Sequence, residues 1–318
     1  MKIDERHAQP IPDVLSISPD KRQLYAVDTY FNETWEDVQR ELPDQLQPMD
    51  RIATLVLKPD AFAGRAAEAS LNWLASHGYD VLHSRKFRFN RFSIRGIWEY
   101  QWNIATRARK DVVDDLLQAG DSVYLVLRNG NSACASRELA SMKGSSAPSK
   151  RKPGDFRFDI SGPNTLLNFI HTSDEPADII REMGVFFNAD ERREILSSIR
   201  EDVVQFSEAQ ELLQNVERSY GDVVDLDFGR VVRGLRDQLG SGSTAAQSTL
   251  ASTLAEVQSG GTIPWPVLDL QLREAGLGIP RWDRIILSTT LVNMDTPEGE
   301  PVVNGLSTSP RTEFPAFT

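Results

Sequence analysis

The sequence predicts an α+β fold in which helices cover an antiparallel β-sheet. Two short apolar runs, RIATLVLK (51–58) and DSVYLVLR (121–128), have the length and composition of buried strands. Around them, apolar residues recur at helical spacing, and glycines and prolines separate the segments. This alternation predicts one sheet with its helices packed on the outside.

The first half of the predicted domain has the order strand, helix, strand. Its first strand is 51–58, and Pro59 ends the pairing because it has no N–H to donate. Residues 60–77 have alanine, leucine and tryptophan at helical spacing, and Gly78 is a suitable C-terminal stop. Residues 79–89 alternate in part between apolar and polar side chains, which indicates a second strand.

The second half is predicted to hold two helices within 91–119, which meet near Thr106, and then the strand 121–128. A helix at 132–142 follows. The loop 143–157 then carries five lysines and arginines, a local excess in an acidic chain. This order fits the ferredoxin-like arrangement of an antiparallel sheet.

The end of the domain is predicted around His171. Asp174 can cap a following helix, Pro176 can occupy its first turn, and the helix should run to about Met183. The apolar residues at 185–187 then close the unit. We therefore expect the domain to span residues 51–188.

Regions of different character flank this domain. Residues 1–50 contain several prolines and are predicted to form an N-terminal arm, with a helix over 34–42 capped by Thr34 that packs on the domain. Residues 189–318 are predicted to be mainly helical. Their predicted parts are helical segments at 189–239, a flexible link at 240–248, a break at 259–262, a helix at 264–276, a strand at 284–292 and a loose tail from Asp295.

Composition narrows the functional classes. The chain has 318 residues, a net charge of −11 and a pI of about 5.0, which disfavours non-specific binding to nucleic acid or to an anionic membrane. Its single cysteine, Cys134, excludes an intramolecular disulfide. The first residues lack the apolar core of a secretory signal, and neither a membrane-spanning run nor a zinc-ligand spacing is present. We expect a cytoplasmic protein without nucleic-acid or membrane partners.

The residues around His171 favour a catalytic role over the solvated or structural role that a lone histidine usually has. Polar Asn168, Ser173 and Asp174 lie close to it in sequence, and Glu182 follows one helix later. A carboxylate that accepts from one imidazole nitrogen fixes the tautomer and leaves the other nitrogen free as a nucleophile. A phosphohistidine formed in this way would divide a phosphoryl transfer into two steps.

Two motifs carry a resemblance to a known family. KPDAFAGR (58–65) is similar to the strand-end motif of nucleoside diphosphate kinases. NFIHTSDEPADIIREMGVFF (168–187) resembles their active-site signature, followed by its acidic helix. The motifs occur in the family's order and at a similar interval, and the resemblance extends over about residues 51–188.

The resemblance implies a role for several residues. His171 would be the phosphorylated nucleophile, Glu182 would orient its ring, and Ser173 would support that contact. Lys58 would bind the terminal phosphate and the sugar hydroxyl, and Asn168 would bind the ribose. Further nucleotide contacts would come from Tyr100, Arg107 or Arg109, Ser146 and Arg151. Lys152 is the alternative to Arg151 at the last of these positions. The nucleotide would bring Mg²⁺, and no metal bound by the protein alone is expected.

The chain also departs from the family pattern. WEYQWNIATRARKDVV lacks the proline–phenylalanine–phenylalanine segment that stacks on the base, and Val112 is the nearest apolar residue. The neighbouring Trp98 and Trp102, at helical spacing, are predicted to be core residues. The departures affect base stacking and phosphate binding rather than the histidine.

The leading functional hypothesis is an enzyme that passes the terminal phosphoryl group of a nucleoside triphosphate to a nucleoside diphosphate through His171. Two alternatives stay open: a nucleotide-binding regulatory protein, and a specialised kinase with a different phosphorylated acceptor. The resemblance implies self-association, since family members form hexamers or tetramers. The C-terminal extension would obstruct such contacts and favours a dimer.

Overall fold

The computed structural model describes residues 10–42, 49–240, 244–296 and 299–303. In this part of the chain, four strands form one sheet in the order β2-β3-β1-β4, and every neighbouring pair is antiparallel. This is the strand order of the ferredoxin-like arrangement, so the predicted fold class is confirmed. The strands are β1 (Ile52–Leu57), β2 (Asp80–Phe87), β3 (Ser122–Arg128) and β4 (Ile170–Thr172).

The centre of the sheet is apolar on both faces. All six residues of β1 are buried, and β3 is buried except at Arg128, its last residue. Such continuous runs of buried apolar residues are expected when helices or loops cover both faces of a strand. The short edge strand β4 pairs with the end of β1, where Val56 lies opposite His171. The histidine therefore projects from the edge of a rigid, buried strand pair.

The helices of the domain lie close to their predicted positions, with one difference. Pro59 not only ends β1 but also occupies the first turn of a short helix, where its missing N–H costs nothing. The predicted helix 60–77 is therefore two helices. The domain's helices are α3 (Pro59–Ala63), α4 (Ala67–Ser76), α5 (Arg91–Ile97), α6 (Arg107–Leu117), α7 (Ala135–Met142), α8 (Phe156–Asp159) and α9 (Pro176–Phe186).

The caps of two helices differ from prediction. In the arm, which contains α1 (Pro19–Tyr25) and α2 (Thr29–Glu41), the cap of α2 is Asp28, whose side chain accepts from the backbone N–H of Phe31. Thr34 is buried inside α2, so its predicted capping role is wrong. Asp174 does not cap α9 either, because the N-cap position is Glu175 and Asp174 pairs with Lys143 at 3.1 Å.

The predicted packing of the arm on the domain is confirmed by buried ion pairs. Nε of Arg181 in α9 lies 2.8 Å from Oδ2 of Asp28, and Nζ of Lys21 lies 2.8 Å from Oδ2 of Asp178. Arg192, beyond α9, donates to Asp37 of α2 at 2.6 Å. Each buried charge has an opposite partner, which is the condition for burying it at all.

The C-terminal region is mainly helical in its described part, as predicted, but the predictions of a strand and of a flexible link are wrong for the residues below. The apolar run at 284–292 is not a strand but belongs to a helix, in which Thr289 donates to the carbonyl of Ile285. Residues 244–248 of the predicted link are not a link but begin a helix, because Thr244 and Gln247 form a capping box. Residues 241–243 of that link lie outside the described residues. The helices are α10 (Ala189–Glu201), α11 (Phe206–Ser219), α12 (Phe228–Leu239), α13 (Ala245–Gln258), α14 (Trp265–Glu274) and α15 (Arg281–Leu291).

The described residues of the tail are held against the domain rather than loose. The N–H of Thr296 donates to the carbonyl of Ile104 at 2.9 Å, and Val303 is buried. Residues 297–298 and 304–318 of the predicted loose tail lie outside the described residues. None of the helices in the described ranges is both long and apolar enough to cross a membrane.

The contact between α9 and α2 requires a glycine. A Cβ on Gly184 would overlap the carbonyl oxygen of Tyr30, whereas a Cβ on Gly234 in α12 would meet nothing within 4 Å. We expect Gly184→Ala to lower the free energy of unfolding by about 1–3 kcal/mol, because the helices must move apart. Gly234→Ala should raise it by about 0.5–1 kcal/mol, the usual gain in an open helix position. Urea unfolding of both variants measures this, and equal effects would contradict the packing argument.

Candidate functional site

The turn before His171 is fixed by the KPDA segment. The backbone N–H of Lys58 donates to the carbonyl of Phe169, and the Asp60 carboxylate accepts from the N–H of Phe169, both at 2.9 Å. Phe169 has a φ of +69°, which is a strained conformation for a residue with a side chain. Asp60 is completely buried. The motif therefore holds the backbone bend that aims β4 and His171 at the cavity described below.

A chain of polar side chains orients the imidazole. Nε2 of His171 lies 2.9 Å from Oε1 of Glu182, and the hydroxyl of Ser173 donates to Oε2 of the same carboxylate at 2.7 Å. Ser173 is also 2.6 Å from the hydroxyl of Thr54 in β1. Because the carboxylate is an acceptor, Nε2 carries the proton and Nδ1 keeps its lone pair. The arrangement suits a nucleophilic Nδ1.

A cavity of about 170 Å³ lies beside His171. Five of the predicted site residues line it: Lys58, Arg109, Ser146, Asn168 and His171. The other lining residues are Trp98, Trp102, Val113, Leu116, Leu117, Arg157, Thr165, Leu166, Ile170 and Met294. One side of the cavity is thus polar and cationic, and the other is aromatic and aliphatic.

Two buried cations reach the cavity. Nζ of Lys58 donates to the carbonyl of Leu166 at 2.7 Å and lies 3.5 Å from Asp60. Burial lowers the pKa of Lys58 to about 8, although Asp60 opposes this shift. The guanidinium of Arg157 donates to the carbonyl of Ile170 at 3.2 Å, and burial lowers its pKa to about 10. Because a buried positive charge is costly, these two cations favour the binding of an anionic ligand.

Arg157 was missed in the sequence analysis. It is one of the five cations of the basic segment 143–157, but the family pattern pointed to Arg151 instead. The only feature that could have distinguished Arg157 from the other four cations is its position directly after the apolar residue Phe156. Phe156 is completely buried in the structure. Lys143 was missed as well, and its buried ammonium pairs with Asp174 next to the histidine strand.

Three residues predicted to contact nucleotide are not among those that line this cavity. The guanidinium of Arg151 donates to backbone carbonyls on both sides of α8, including those of Ser146 at 2.6 Å and Asn164 at 2.9 Å. The side chain of Arg107 is 95% exposed, whereas Arg109 lines the cavity. The hydroxyl of Tyr100 donates to Asp28 of the arm at 2.8 Å. Arg151 and Tyr100 therefore have structural partners, and Lys152 is exposed.

The aromatic neighbour of the histidine is Trp98. Its ring lies 5.7 Å from the His171 ring in an edge-to-face arrangement and stacks on Trp102 at 4.9 Å. Trp102 is buried, as predicted, but both tryptophans also line the cavity. Val112 is buried, and the aliphatic residue of α6 that follows it, Val113, lines the cavity instead. The apolar lining therefore includes two tryptophans that were predicted to be core residues.

Three lining residues have buried polar atoms without a hydrogen-bond partner. They are the side-chain oxygen of Asn168, Nε of Arg157 and Nε of Arg109. Such atoms are costly to leave unsatisfied, so they indicate where a polar ligand would bind. Among the described residues, no group of three or more His, Cys, Asp or Glu side chains is placed to hold a metal ion. The lining therefore suits an anion, alone or with a metal that the anion itself carries.

Comparison with known proteins gives one family for the central part of the chain. Residues 52–192 match the family model described as Nucleoside diphosphate kinase. The nucleoside diphosphate kinase of Lawsonia intracellularis is 27% identical over 139 residues, which are 43% of this chain and 94% of that protein. That of Salinibacter ruber is 26% identical over 135 residues, 42% of this chain and 88% of that protein.

A solved nucleoside diphosphate kinase from Halobacterium salinarum, in complex with CDP, aligns with a TM-score of 0.38 and 21% identity. The alignment covers 45% of this chain and 90% of that one. The resemblance predicted from the two motifs is confirmed over one contiguous stretch. Residues 52–192 form a domain that is similar to nucleoside diphosphate kinases, with further chain on both sides.

Proposed function

We propose that this protein transfers the terminal phosphoryl group of a nucleoside triphosphate to a nucleoside diphosphate through a phosphohistidine on His171. The family match over 52–192 supports a nucleotide phosphotransferase in general terms. The observation that carries the finer proposal is the 2.9 Å contact between Nε2 of His171 and Glu182. It leaves Nδ1 as the free nitrogen beside a cavity with two buried cations.

The transfer has two half-reactions. In the first, the Nδ1 lone pair of His171 attacks the terminal phosphorus and forms an N–P bond. The bond to the bridging oxygen breaks, and the nucleoside diphosphate leaves with its electron pair. In the second, a terminal oxygen of another nucleoside diphosphate attacks the same phosphorus, and the N–P electron pair returns to Nδ1. Glu182 keeps the ring oriented and stabilises the positive charge that the ring gains in the phosphoenzyme.

Different lining residues would bind different parts of the nucleotide. Lys58 and Arg157 would neutralise phosphate oxygens, and the unpartnered oxygen of Asn168 would accept from a sugar hydroxyl. Positioning and charge neutralisation are the main requirements of phosphoryl transfer. Mg²⁺ brought by the nucleotide would bridge phosphate oxygens and share that neutralisation. Its ligands would be phosphate oxygens rather than a carboxylate cluster.

A nucleotide-binding regulatory role is the second candidate. WEYQWNIATRARKDVV (98–113) favours it, because this segment lacks the residues that stack on the base in nucleoside diphosphate kinases. Titration calorimetry with Mg²⁺ and a nucleoside diphosphate would detect binding, and exchange of phosphate between GTP and ADP would detect turnover. Binding without exchange would support the regulatory role.

The predicted cytoplasmic location, the self-association and the alternative phosphorylated acceptor stay predictions.

The phosphoenzyme provides the first test. Incubation with γ-labelled ATP and Mg²⁺ should give an acid-labile, alkali-stable label on the protein, because N–P bonds of histidine hydrolyse in acid. His171→Ala should remove the label, and His77→Ala, which alters the exposed histidine that follows α4, should retain it. Equal labelling of wild type and His171→Ala would overturn the proposal.

The role of Glu182 in orienting His171 can be tested separately from nucleotide binding. Glu182→Gln keeps an acceptor oxygen for Nε2 but removes the charge, and Glu182→Ala removes both. We expect phosphoenzyme formation to slow by roughly 10-fold for Gln and roughly 100-fold for Ala, the range seen when orienting partners of histidines are removed. Single-turnover labelling measures the rate, and calorimetry should find unchanged nucleotide affinity. A wild-type rate in Glu182→Ala would contradict an orienting role.

Lys58 should make nucleotide binding depend on pH. With a pKa of about 8, its ammonium is charged below pH 8 and loses its proton as the pH rises through 8. Affinity for a nucleoside diphosphate should therefore fall by about tenfold between pH 7 and pH 9.5, the value of one charge-assisted hydrogen bond. Lys58→Arg, whose guanidinium stays charged, should flatten the profile. The same slope in both proteins would exclude Lys58 as the titrating group.

A further inference from the structure

The C-terminal chain forms a short strap along the cavity edge. We define the strap as residues 293–296. The hydroxyl of Thr106 donates to the carbonyl of Asn293 at 2.6 Å, and the N–H of Thr106 donates to the carbonyl of Met294 at 3.2 Å. Asp295 forms a β-bridge with Ala105. The strap therefore lies antiparallel to the segment that begins α6, from which Arg109 enters the cavity.

The chain beyond the strap is anchored to the same segment. The N–H of Val303 donates to the carbonyl of Tyr100 at 3.1 Å, and the side-chain amide of Asn103 donates to the carbonyl of Glu300 at 2.9 Å. A Cβ on Gly299 would come within 2.7 Å of the Ile104 side chain, so the backbones approach closely here. The strap is thus positioned from both of its ends.

Two side chains of the strap bear on the cavity. Met294 is one of its lining residues. The carboxylate of Asp295 pairs with the guanidinium of Arg109, which also lies 5.7 Å from the Trp102 ring. A cation that lines the cavity is therefore already neutralised by an acid from the C-terminal region.

Helix α15 contacts the loop that leads to the cavity. The side-chain amide of Asn164 donates to the hydroxyls of Thr289 at 3.1 Å and Thr290 at 3.2 Å in α15. The loop that holds Asn164 continues to Asn168, which lines the cavity. With these contacts in place the cavity measures about 170 Å³, well below the roughly 300 Å³ at which ligand pockets begin.

We propose that the strap is the outer wall of the nucleotide site and sets its affinity, because Asp295 competes with nucleotide phosphate for Arg109. This inference rests on the proposed function. In the resting protein, the carboxylate of Asp295 holds the guanidinium and Met294 narrows the cavity. Binding of a nucleoside di- or triphosphate releases Arg109 from Asp295 and moves the strap outward, so that the full ligand is admitted.

The test is the affinity for a nucleoside diphosphate with Mg²⁺, measured by calorimetry on full-length protein at low ionic strength. Asp295→Asn should bind about fivefold more tightly than wild type, since an exposed ion pair is worth up to about that factor. Glu300→Gln removes a charge from the neighbouring stretch without touching Arg109 and should leave the affinity unchanged. The gain should disappear in Arg109→Gln/Asp295→Asn, because the released cation is then missing.

The outcomes separate this inference from the proposed function. If Asp295→Asn binds no more tightly than wild type while His171 still takes up label, the competition is wrong and the phosphotransferase stands. If Glu300→Gln gained as much affinity as Asp295→Asn, the effect would come from the net charge of the protein alone. That outcome would also overturn the inference. If neither wild type nor any variant binds nucleotide, both proposals fail.

Hydrogen exchange supplies a second readout. The N–H of Thr296 is hydrogen-bonded to Ile104, so the peptide that contains the strap should be protected without ligand. Nucleotide should increase its exchange several-fold if phosphate displaces Asp295. Greater protection on binding would mean that the strap closes on the ligand, and it would overturn the competition.

Discussion

The structure depends on the buried charges of helix α9. Glu182 contacts His171, and the preceding residue, Arg181, pairs with Asp28 of the arm. Asp178 of the same helix accepts from Lys21 and from the hydroxyl of Tyr25. Breaking one partner of such a pair costs about 3–5 kcal/mol, because a buried charge is left uncompensated. The N-terminal arm therefore helps to determine where the orienting carboxylate lies.

The positive charge at the site is a local feature of an acidic protein. The chain carries a net charge of −11, but the groups that face the cavity include Lys58, Arg109 and Arg157. Burial makes the charged forms of Lys58 and Arg157 costly, as their lowered pKa values indicate. A polyanionic ligand would recover that cost, since it supplies the missing opposite charge inside a low-dielectric cavity. An acidic surface and an anion-binding site are thus compatible in one protein.

Much of the site could be predicted because its motifs are contiguous. Lys58, Asn168, Ser173 and Glu182 lie within two short segments, and the structure brings them to His171 through one strand pair and one helix. Tyr100, Arg107 and Arg151 could not be placed in this way. Tyr100 contacts the arm, Arg107 is exposed beside Asp111, and Arg151 binds backbone carbonyls on both sides of α8. Residue spacing in the sequence does not show which of these surroundings a side chain will have.

The fold was predicted best where the pattern was unambiguous. The buried strands β1 and β3 are short, continuous apolar runs, and both were placed to within a residue or two. A similar run at 284–292 belongs to a helix, because a buried helix and a buried strand have the same apolar composition over so few residues. The tail has a proline-rich and largely polar sequence, which predicts a loose segment. Its described part is held by hydrogen bonds to 104–106, and no local pattern in the sequence predicts these long-range contacts.

The two flanking regions therefore act on the site with different strengths. Arg181 and Asp28 of the arm contact are 1% and 3% exposed, whereas Arg109 and Asp295 of the strap are 19% and 43% exposed. Water screens the strap pair and leaves it worth about 1 kcal/mol or less. A ligand can displace that contact with a small part of its binding free energy, but it cannot displace the buried pairs of α9. The arm is consequently part of the scaffold, and the strap is the element that a phosphate can move.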